Sequence, residues 1–182
     1  MIVEGPVRTQ IVGAGLSESE DLDNETGYFI PKDKNRETII DAEHGAVFNR
    51  LSSDGNKREL IFEGDVSVVD SDFNLFSDKL TAFVHPFSKN GLIDKAVATG
   101  GNQNPAQIEH ISKGGKLHQG KAGIITFIGS TGDIIMDNWP EIRREEHSSI
   151  AKHRDAQIIL KRDGSVNSRG VDTRIVRELK RP

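Results

Sequence analysis

The sequence lacks cysteine and has few aromatic residues. There are 0 cysteines among the 182 residues, so neither a disulfide framework nor a thiolate metal site is available. Aromatic residues make up 5% of the chain, with one Trp, one Tyr and 8 Phe. Because a carbohydrate-binding platform needs exposed aromatic rings, this scarcity disfavours that class of protein.

Long apolar runs and an excess of positive charge are also missing. No apolar stretch approaches the roughly 20 residues of a membrane span, and the first residues have neither the basic nor the apolar segment of an export signal. The net charge is −4, and no stripe of Lys and Arg suits a phosphate backbone. These features predict that nucleic acid is not a partner.

The sequence has no motif that indicates catalysis. No Gly-x-Ser-x-Gly or phosphate loop is present, and Asp65 and Asp78 fall beside turns or on wet strand faces, where solvated acids are usual. The histidines show no metal-ligand spacing; they are His44, His85, His110, His118, His147 and His153. We therefore predict that the chain is not an enzyme and has no catalytic residues, metal site or cofactor.

Alternating apolar and polar residues indicate strands. The hydrophobic fraction is 35% and the charged fraction 29%, which suits one elongated domain with a thin core. In the central stretch 60–70, Phe62, Val66 and Val68 share one parity, whereas Glu63 and Ser67 share the other. Gly64 falls on the apolar parity, which predicts a bulge or bend in this strand.

The rest of the chain repeats a pattern of strand, glycine-containing turn and strand. Turn signals recur at 54–55, 90–91, 131–133 and 163–164. We predict N-terminal edge strands and a flexible acidic loop over 1–37, a β-domain over 38–176, and a basic tail over 177–182. The architecture predicted from this repetition is all-β, built from antiparallel hairpins.

Three local predictions are less direct. His44 lies on the parity of Ala42 and Ala46, which predicts an interior histidine. The run 124–128 is apolar on both parities, which predicts a strand covered on both faces. Residues 141–155 contain good helix formers but no helical apolar stripe, so we expect a charged strand or an exposed loop.

Several motifs in order resemble the OstA-like domains of lipopolysaccharide transport. The matching segments are FEGDVSV at 62–68, SDKL at 77–80, GLIDKAVATG at 91–100, GKA at 120–122 and TGDIIM at 131–136. The resemblance covers about 38–170. The chain departs from the family pattern in the acidic segment 13–27, in the insertion-like segment 100–105, and at 137–140, where the family pattern has a glycine.

The resemblance implies a twisted β-jellyroll, open along one side, whose two sheets enclose an apolar groove for lipid acyl chains. It also implies a non-enzymatic periplasmic protein that binds lipopolysaccharide and contacts other OstA-like domains. From the residues alone, the chain is either cytoplasmic or has a targeting segment outside this sequence. The candidate edge strands, Val7 to Val12 and Val166 to Val176, predict head-to-tail self-association by strand addition. The residues expected to line the groove are Ile40, Phe48, Phe62, Val66, Val68, Phe73, Leu75, Leu80, Val97, Ile108, Ile124, Phe127, Ile134, Met136, Ile158 and Leu160.

A second interpretation stays open. The same apolar residues could form an ordinary filled core, because alternation alone does not distinguish a packed interior from an open groove. The chain would then be a β-sandwich interaction or carbohydrate-binding module. The scarcity of aromatic residues favours the lipid interpretation of the two.

Overall fold

A computed structural model shows an all-β protein and confirms the predicted jellyroll. It describes residues 1–12, 37–51, 58–70, 73–84, 93–101, 103–112 and 115–175. Within these ranges every regular element is a strand, and no helix could cross a membrane. The strands are β1 (Ile2–Glu4), β2 (Val7–Val12), β3 (Glu37–Ala42), β4 (Gly45–Leu51), β5 (Arg58–Val69), β6 (Phe73–Val84), β7 (Ile93–Thr99), β8 (Ala106–Ile111), β9 (Leu117–Ala122), β10 (Ile124–Ile128), β11 (Asp133–Asp137), β12 (Glu141–Arg144), β13 (His147–Ala151), β14 (Gln157–Leu160), β15 (Val166–Arg169) and β16 (Val171–Ile175).

Two long strands organise the fold. β5 and β6 are 12 residues each and pair antiparallel along most of their length. The pairing branches at both: the first half of β5 pairs with β4 and its second half with β3, while β6 pairs with β8 at its start and β7 at its end. One sheet therefore runs β1-β4-β5-β6-β7-β10-β11-β14-β15, and the other runs β2-β3-β5-β6-β8-β9-β12-β13-β16.

The predicted bend in the central strand is present. The register between β5 and β6 shifts between Glu63 and Val66, and Gly64 and Asp65 have φ values of 80° and 42°. These left-handed conformations are accessible to glycine and tolerated by aspartate. The bulge lets β5 leave one sheet and enter the other.

The prediction that His44 is interior is wrong. His44 is exposed, although Ala42 and Ala46 on either side are 3% exposed. The chain passes from β3 in one sheet to β4 in the other at Glu43 and His44, so the alternation restarts there. The imidazole lies against Gly64, where a β-carbon would collide with it.

The chain crosses between the sheets repeatedly along one side of the molecule. Backbone hydrogen bonds join successive crossings: Gly100 N–H donates to Gly123 O (3.1 Å), and Gly123 N–H donates to Asn138 O (2.8 Å). At the crossing that lacks the expected glycine, Asn138 and Trp139 have φ values of 64° and 62°. Arg154 Nε donates to Asn138 Oδ1 at 3.0 Å and helps to hold this conformation. The left-handed geometry is thus kept without glycine.

The ambiguous segment 141–155 contains strands. β12 and β13 pair from Glu141↔Ile150 to Arg144↔His147, so the expected charged strand is present. Turns follow the predicted signals near Gly132 and Gly164, with φ values of 71° and 83°. The signals at 54–55 and 90–91, the acidic loop and the basic tail lie outside the described residues, and the domain boundaries stay a prediction.

Candidate functional site: the space between the sheets

An apolar cavity lies between the two sheets beside β6. It measures about 60 Å³, or about 660 Å³ when its solvent-open part is included. The volume of about 60 Å³ has room for roughly four or five water molecules. It is lined by Thr38, Ile40, Val68, Asp70, Phe73, Leu75, Leu80, Ala82, Ile93, Ala96, Ala98, Ile108, Ile125, Phe127 and Ile134.

Half of the predicted groove residues meet at this cavity. They are Ile40, Val68, Phe73, Leu75, Leu80, Ile108, Phe127 and Ile134. They come from β3, β5, β6, β8, β10 and β11, which the antiparallel pairing of both sheets brings together. Whether they bind lipid stays a prediction.

Six of the other predicted residues belong to the packed interior beside the cavity. Phe62, Val66, Met136, Ile158 and Leu160 are at most 1% exposed and leave no space around them. Phe48 is half-buried and contacts Phe62 edge-to-face, with ring centroids 5.8 Å apart. These side chains support the wall but do not line the cavity.

The placement of Val97 and Ile124 in the groove is wrong. The cavity is lined by Ala96 and Ala98, which flank Val97 in β7, and by Ile125, which follows Ile124 in β10. Because successive strand residues point to opposite faces, Val97 and Ile124 lie on the outside of the sheet. Both are half-buried there, so this face of β10 is only partly covered, contrary to the prediction.

The sequence-based list also missed residues that create the space. Ala82, Ala96 and Ala98 line the cavity, and their small side chains leave room where larger ones would fill it. The signal was present in the sequence, since Ala96 and Ala98 share a parity in β7. The prediction instead chose Val97, the largest apolar side chain in this part of β7.

The apolar wall contains one buried polar pair. Thr38 Oγ1 donates a hydrogen bond to Asp70 Oδ2 at 2.6 Å, and the two residues are 6% and 8% exposed. A carboxylate next to apolar surface needs such a partner, because an unmade bond in this setting is costly. The pair also joins β3 to the end of β5.

A packed layer bounds the cavity toward the C-terminal strands. We define this layer as His118, Gly120, Met136, Ile158 and Leu160. The four side chains are at most 1% exposed, and a β-carbon on Gly120 would lie 2.6 Å from Met136 Sδ. The two sheets are therefore in direct contact at this layer.

His118 is the ionisable member of the packed layer. Both of its ring nitrogens are buried without a hydrogen-bond partner among the described residues. Burial lowers the pKa of His118 below its usual value, and the nearby positive charges of His110, Arg144 and Lys116 lower it further. Gly164 in the β14–β15 turn lies close to this ring, since a β-carbon there would be 2.9 Å from Ser112 Cβ and 3.7 Å from His118 Nε2.

A second cavity lies beyond the packed layer at the C-terminal end of the molecule. It measures about 240 Å³. Its wall is polar as well as apolar, in contrast to the first cavity. The lining residues are Ile142, Arg144, His147, Ser149, Val166, Ser168 and Thr173.

Asp65 and Asp78 both lie at irregular points of the fold. Asp78 accepts hydrogen bonds from Gly101 N–H (2.9 Å) and Asn104 Nδ2 (3.1 Å), and so it fixes the crossing between β7 and β8. Asp65 lies at the bulge in β5. Within the described ranges, no three His, Asp or Glu side chains are grouped as metal ligands.

Comparison with known proteins identifies the fold. Neither a protein-family model nor a curated protein sequence matches the chain. Among solved structures, the chain is similar to LptH of Pseudomonas aeruginosa, described as the LptA-homologous periplasmic component of the lipopolysaccharide transport device. The TM-score is 0.58 at 16% identity, and the match covers 76% of this chain and 94% of that chain. The chain thus has the jellyroll fold of an LptA-like protein.

Proposed function

We propose that this protein binds lipid acyl chains between its two sheets and carries lipopolysaccharide in the periplasm without enzymatic activity. The observation that supports this most directly is the cavity beside β6, in which all lining residues except Thr38 and Asp70 are apolar. Each methylene buried there would gain about 0.8 kcal/mol. The similar fold of the periplasmic component LptH supports the same compartment and cargo.

The cavity as it stands would hold a short acyl segment. Its volume of about 60 Å³ suits only a few methylenes, so a longer chain requires the sheets to separate along the open side. The small residues on β7 make this wall the least filled part of the interior. Lipid entry is therefore proposed to begin beside Ala96 and Ala98.

The proposed partners are lipopolysaccharide and other OstA-like domains of the envelope. Contact with such domains, or with a second copy of this chain, would use the terminal strands. β1 and β2 form one end of the two sheets and β15 and β16 the other, and among the described strands each of them pairs with one neighbour. Such edges pair readily with a further strand.

Filling the cavity tests the proposal. In Ala96→Leu, the added side chain should occupy the cavity and reduce uptake of lipopolysaccharide or of a fluorescent fatty-acyl probe. The controls lie on the outer face of the same strand: Val97→Leu adds one methylene there, and Val97→Phe adds a number of carbon atoms comparable to that of Ala96→Leu. Charge variants extend the test: Val68→Asp and Ile134→Asp should lose uptake, whereas Ser67→Asp on the outer face should keep it.

The alternative is an interaction or carbohydrate-binding module with a filled core. The observation in its favour is the packed layer, whose side chains are at most 1% exposed. No uptake of lipid by the folded protein, or equal uptake by Ala96→Leu and Val97→Leu, would favour this alternative. Circular dichroism on each variant distinguishes lost binding from lost folding.

A further inference from the structure

The cavity at the C-terminal end differs chemically from the apolar cavity. Its polar lining comes from Arg144, His147, Ser149, Ser168 and Thr173, on four different strands. Ser149 and Thr173 face each other across β13 and β16, with their hydroxyl oxygens 3.0 Å apart. Arginine, imidazole and hydroxyl groups can all donate hydrogen bonds, and no carboxylate lines the cavity.

The inward position of Arg144 follows from strand alternation. Ile142 is 4% exposed and belongs to the core, so Arg144, two residues further along β12, points to the same side. Its partner across the hairpin is His147, which places the guanidinium and imidazole groups on one wall. Arg143 lies between them in sequence and points to the outer face opposite Ser148.

Three acidic residues near this end have cationic partners of their own. Glu145 pairs with Lys116 at 3.5 Å, Glu141 with Lys121 at 2.9 Å, and Asp172 with Lys152 at 2.7 Å. Among the described residues, no carboxylate forms an ion pair with Arg144. The positive charge in the cavity is therefore not neutralised by that part of the chain.

We propose that the C-terminal cavity binds a phosphate group through Arg144, with His147 and the hydroxyls of Ser149, Ser168 and Thr173 as additional donors. A guanidinium fork fits two phosphate oxygens at once, and hydroxyls complete the coordination of an anion. The phosphate belongs either to a lipid headgroup or to a free ion. The assignment of the phosphate to a lipid headgroup rests on the proposed function, whereas the presence of an anion site does not.

The packed layer separates the two cavities, and so it determines which part of a lipid each cavity could bind. Met136 and Gly120 close the interior between them, so an acyl chain in the apolar cavity does not continue into the polar one. A bound lipid would therefore have to reach both along the open side of the jellyroll. The polar cavity is accordingly assigned to the phosphate and not to the acyl chain.

The test compares Arg144→Gln with Arg143→Gln. Both remove one positive charge from β12, but only Arg144 lines the cavity. Inorganic phosphate, titrated at moderate ionic strength and followed by amide chemical shifts, should perturb β12, β13, β15 and β16. Arg144→Gln should weaken binding about tenfold or more, and Arg143→Gln should leave it within about twofold. Arg144→Lys should retain part of the affinity.

Two results would overturn the proposal: no saturable phosphate binding by the folded wild-type protein, or equal loss in both glutamine variants. Dihexanoyl phosphatidic acid distinguishes the sources. Tighter binding of this lipid than of inorganic phosphate supports a headgroup site, and equal binding supports a site for the free ion. A neutral fatty-acyl probe tests the apolar cavity separately, and Arg144→Gln should not change its uptake.

Discussion

Met136 of β11 packs directly against Gly120 of β9 across the interior. A β-carbon at position 120 would lie 2.6 Å from Met136 Sδ and 3.1 Å from Ile108 Cγ2, so the glycine allows the two sheets to touch. This contact separates the apolar cavity from the polar one. The interior is therefore partly filled and does not form one continuous groove.

Truncating Met136 should open the packed layer. Met136→Ala is expected to lower the free energy of unfolding by about 2–5 kcal/mol, because it leaves a void at a fully buried position. The void would also lengthen the apolar cavity, so longer acyl probes should bind better relative to short ones. Denaturant unfolding and probe titration measure the two effects, and unchanged chain-length preference would contradict the second.

The same contact predicts a coupling between the two positions. Gly120→Ala should destabilise the fold because the new methyl group meets Met136, whereas the matched change Gly101→Ala should be nearly neutral, since its β-carbon would have only a 3.5 Å contact with Asp78. In the double variant Gly120→Ala with Met136→Ala, the clash with Met136 is absent, and only the 3.1 Å approach to Ile108 Cγ2 remains. A double-mutant cycle should therefore show a coupling energy of about 1 kcal/mol, and additive losses would contradict the contact.

Protonation of His118 should lower stability in mild acid. Its pKa is lowered in the folded protein from the usual 6.5, so the unfolded chain binds a proton at a pH where the folded protein does not. Stability is therefore fully present above about pH 6.5 and falls as the pH drops from there toward the folded-state pKa. His118→Leu should remove this part of the pH dependence.

The measurement is denaturant unfolding at about pH 8 and about pH 5. At the higher pH, His118→Leu should be as stable as the wild type or up to about 1 kcal/mol more stable, because it removes a buried group without a described partner. The advantage should grow at the lower pH. His153→Asn, at an exposed position, is the control and should keep the wild-type slope.

Head-to-tail association should depend on the free edge of β16. Lys152 N–H donates to Gly170 O, which makes Ala151↔Val171 and His147↔Ile175 non-hydrogen-bonded pairs in this register. The N–H of Ile175 then points away from β13, toward an added strand. Ile175→Pro should stop concentration-dependent growth without breaking the β13–β16 pairing.

Light scattering over a dilution series measures this growth. A heterologous contact between one end and the other need not close, so chains rather than a fixed dimer are expected. Ile175→Ala is the matched control, because it removes the exposed side chain but keeps the N–H. A wild-type monomer at every concentration, or equal effects of both variants, would argue against strand addition.

The bulge in β5 should tolerate one of two neighbouring substitutions. Gly64→Ala places a methyl group at φ 80° and against the His44 ring, so it should lower the free energy of unfolding by more than about 1 kcal/mol, whereas the same change at a relaxed position would be slightly stabilising. Asp65→Gly at φ 42° should be nearly neutral, because glycine adopts this conformation freely. Thermal unfolding of the two variants in parallel checks the order.

The sequence alone determined the local features. Alternation predicted the strands, Gly64 predicted the bulge, and the signals near Gly132 and Gly164 predicted turns that are present. These features depend on backbone conformations and on side chains close in sequence. The repetition of strands and turns predicted an all-β fold of antiparallel hairpins, and the jellyroll itself was predicted by the resemblance of several segments, in order, to OstA-like domains.

Only the tertiary structure decided which face of a doubly apolar strand is inside. Val97 and Ala96 are both compatible with an interior position, and the choice depends on pairing with β6 and β10. The structure also decided where the interior is filled and where it is open. Met136 fills its layer because Gly120 lies opposite, and Arg144 faces a cavity whose other walls come from β13, β15 and β16. The size of a filled or open space depends on residues from different strands and different sheets, and a local sequence pattern does not predict which of these residues meet.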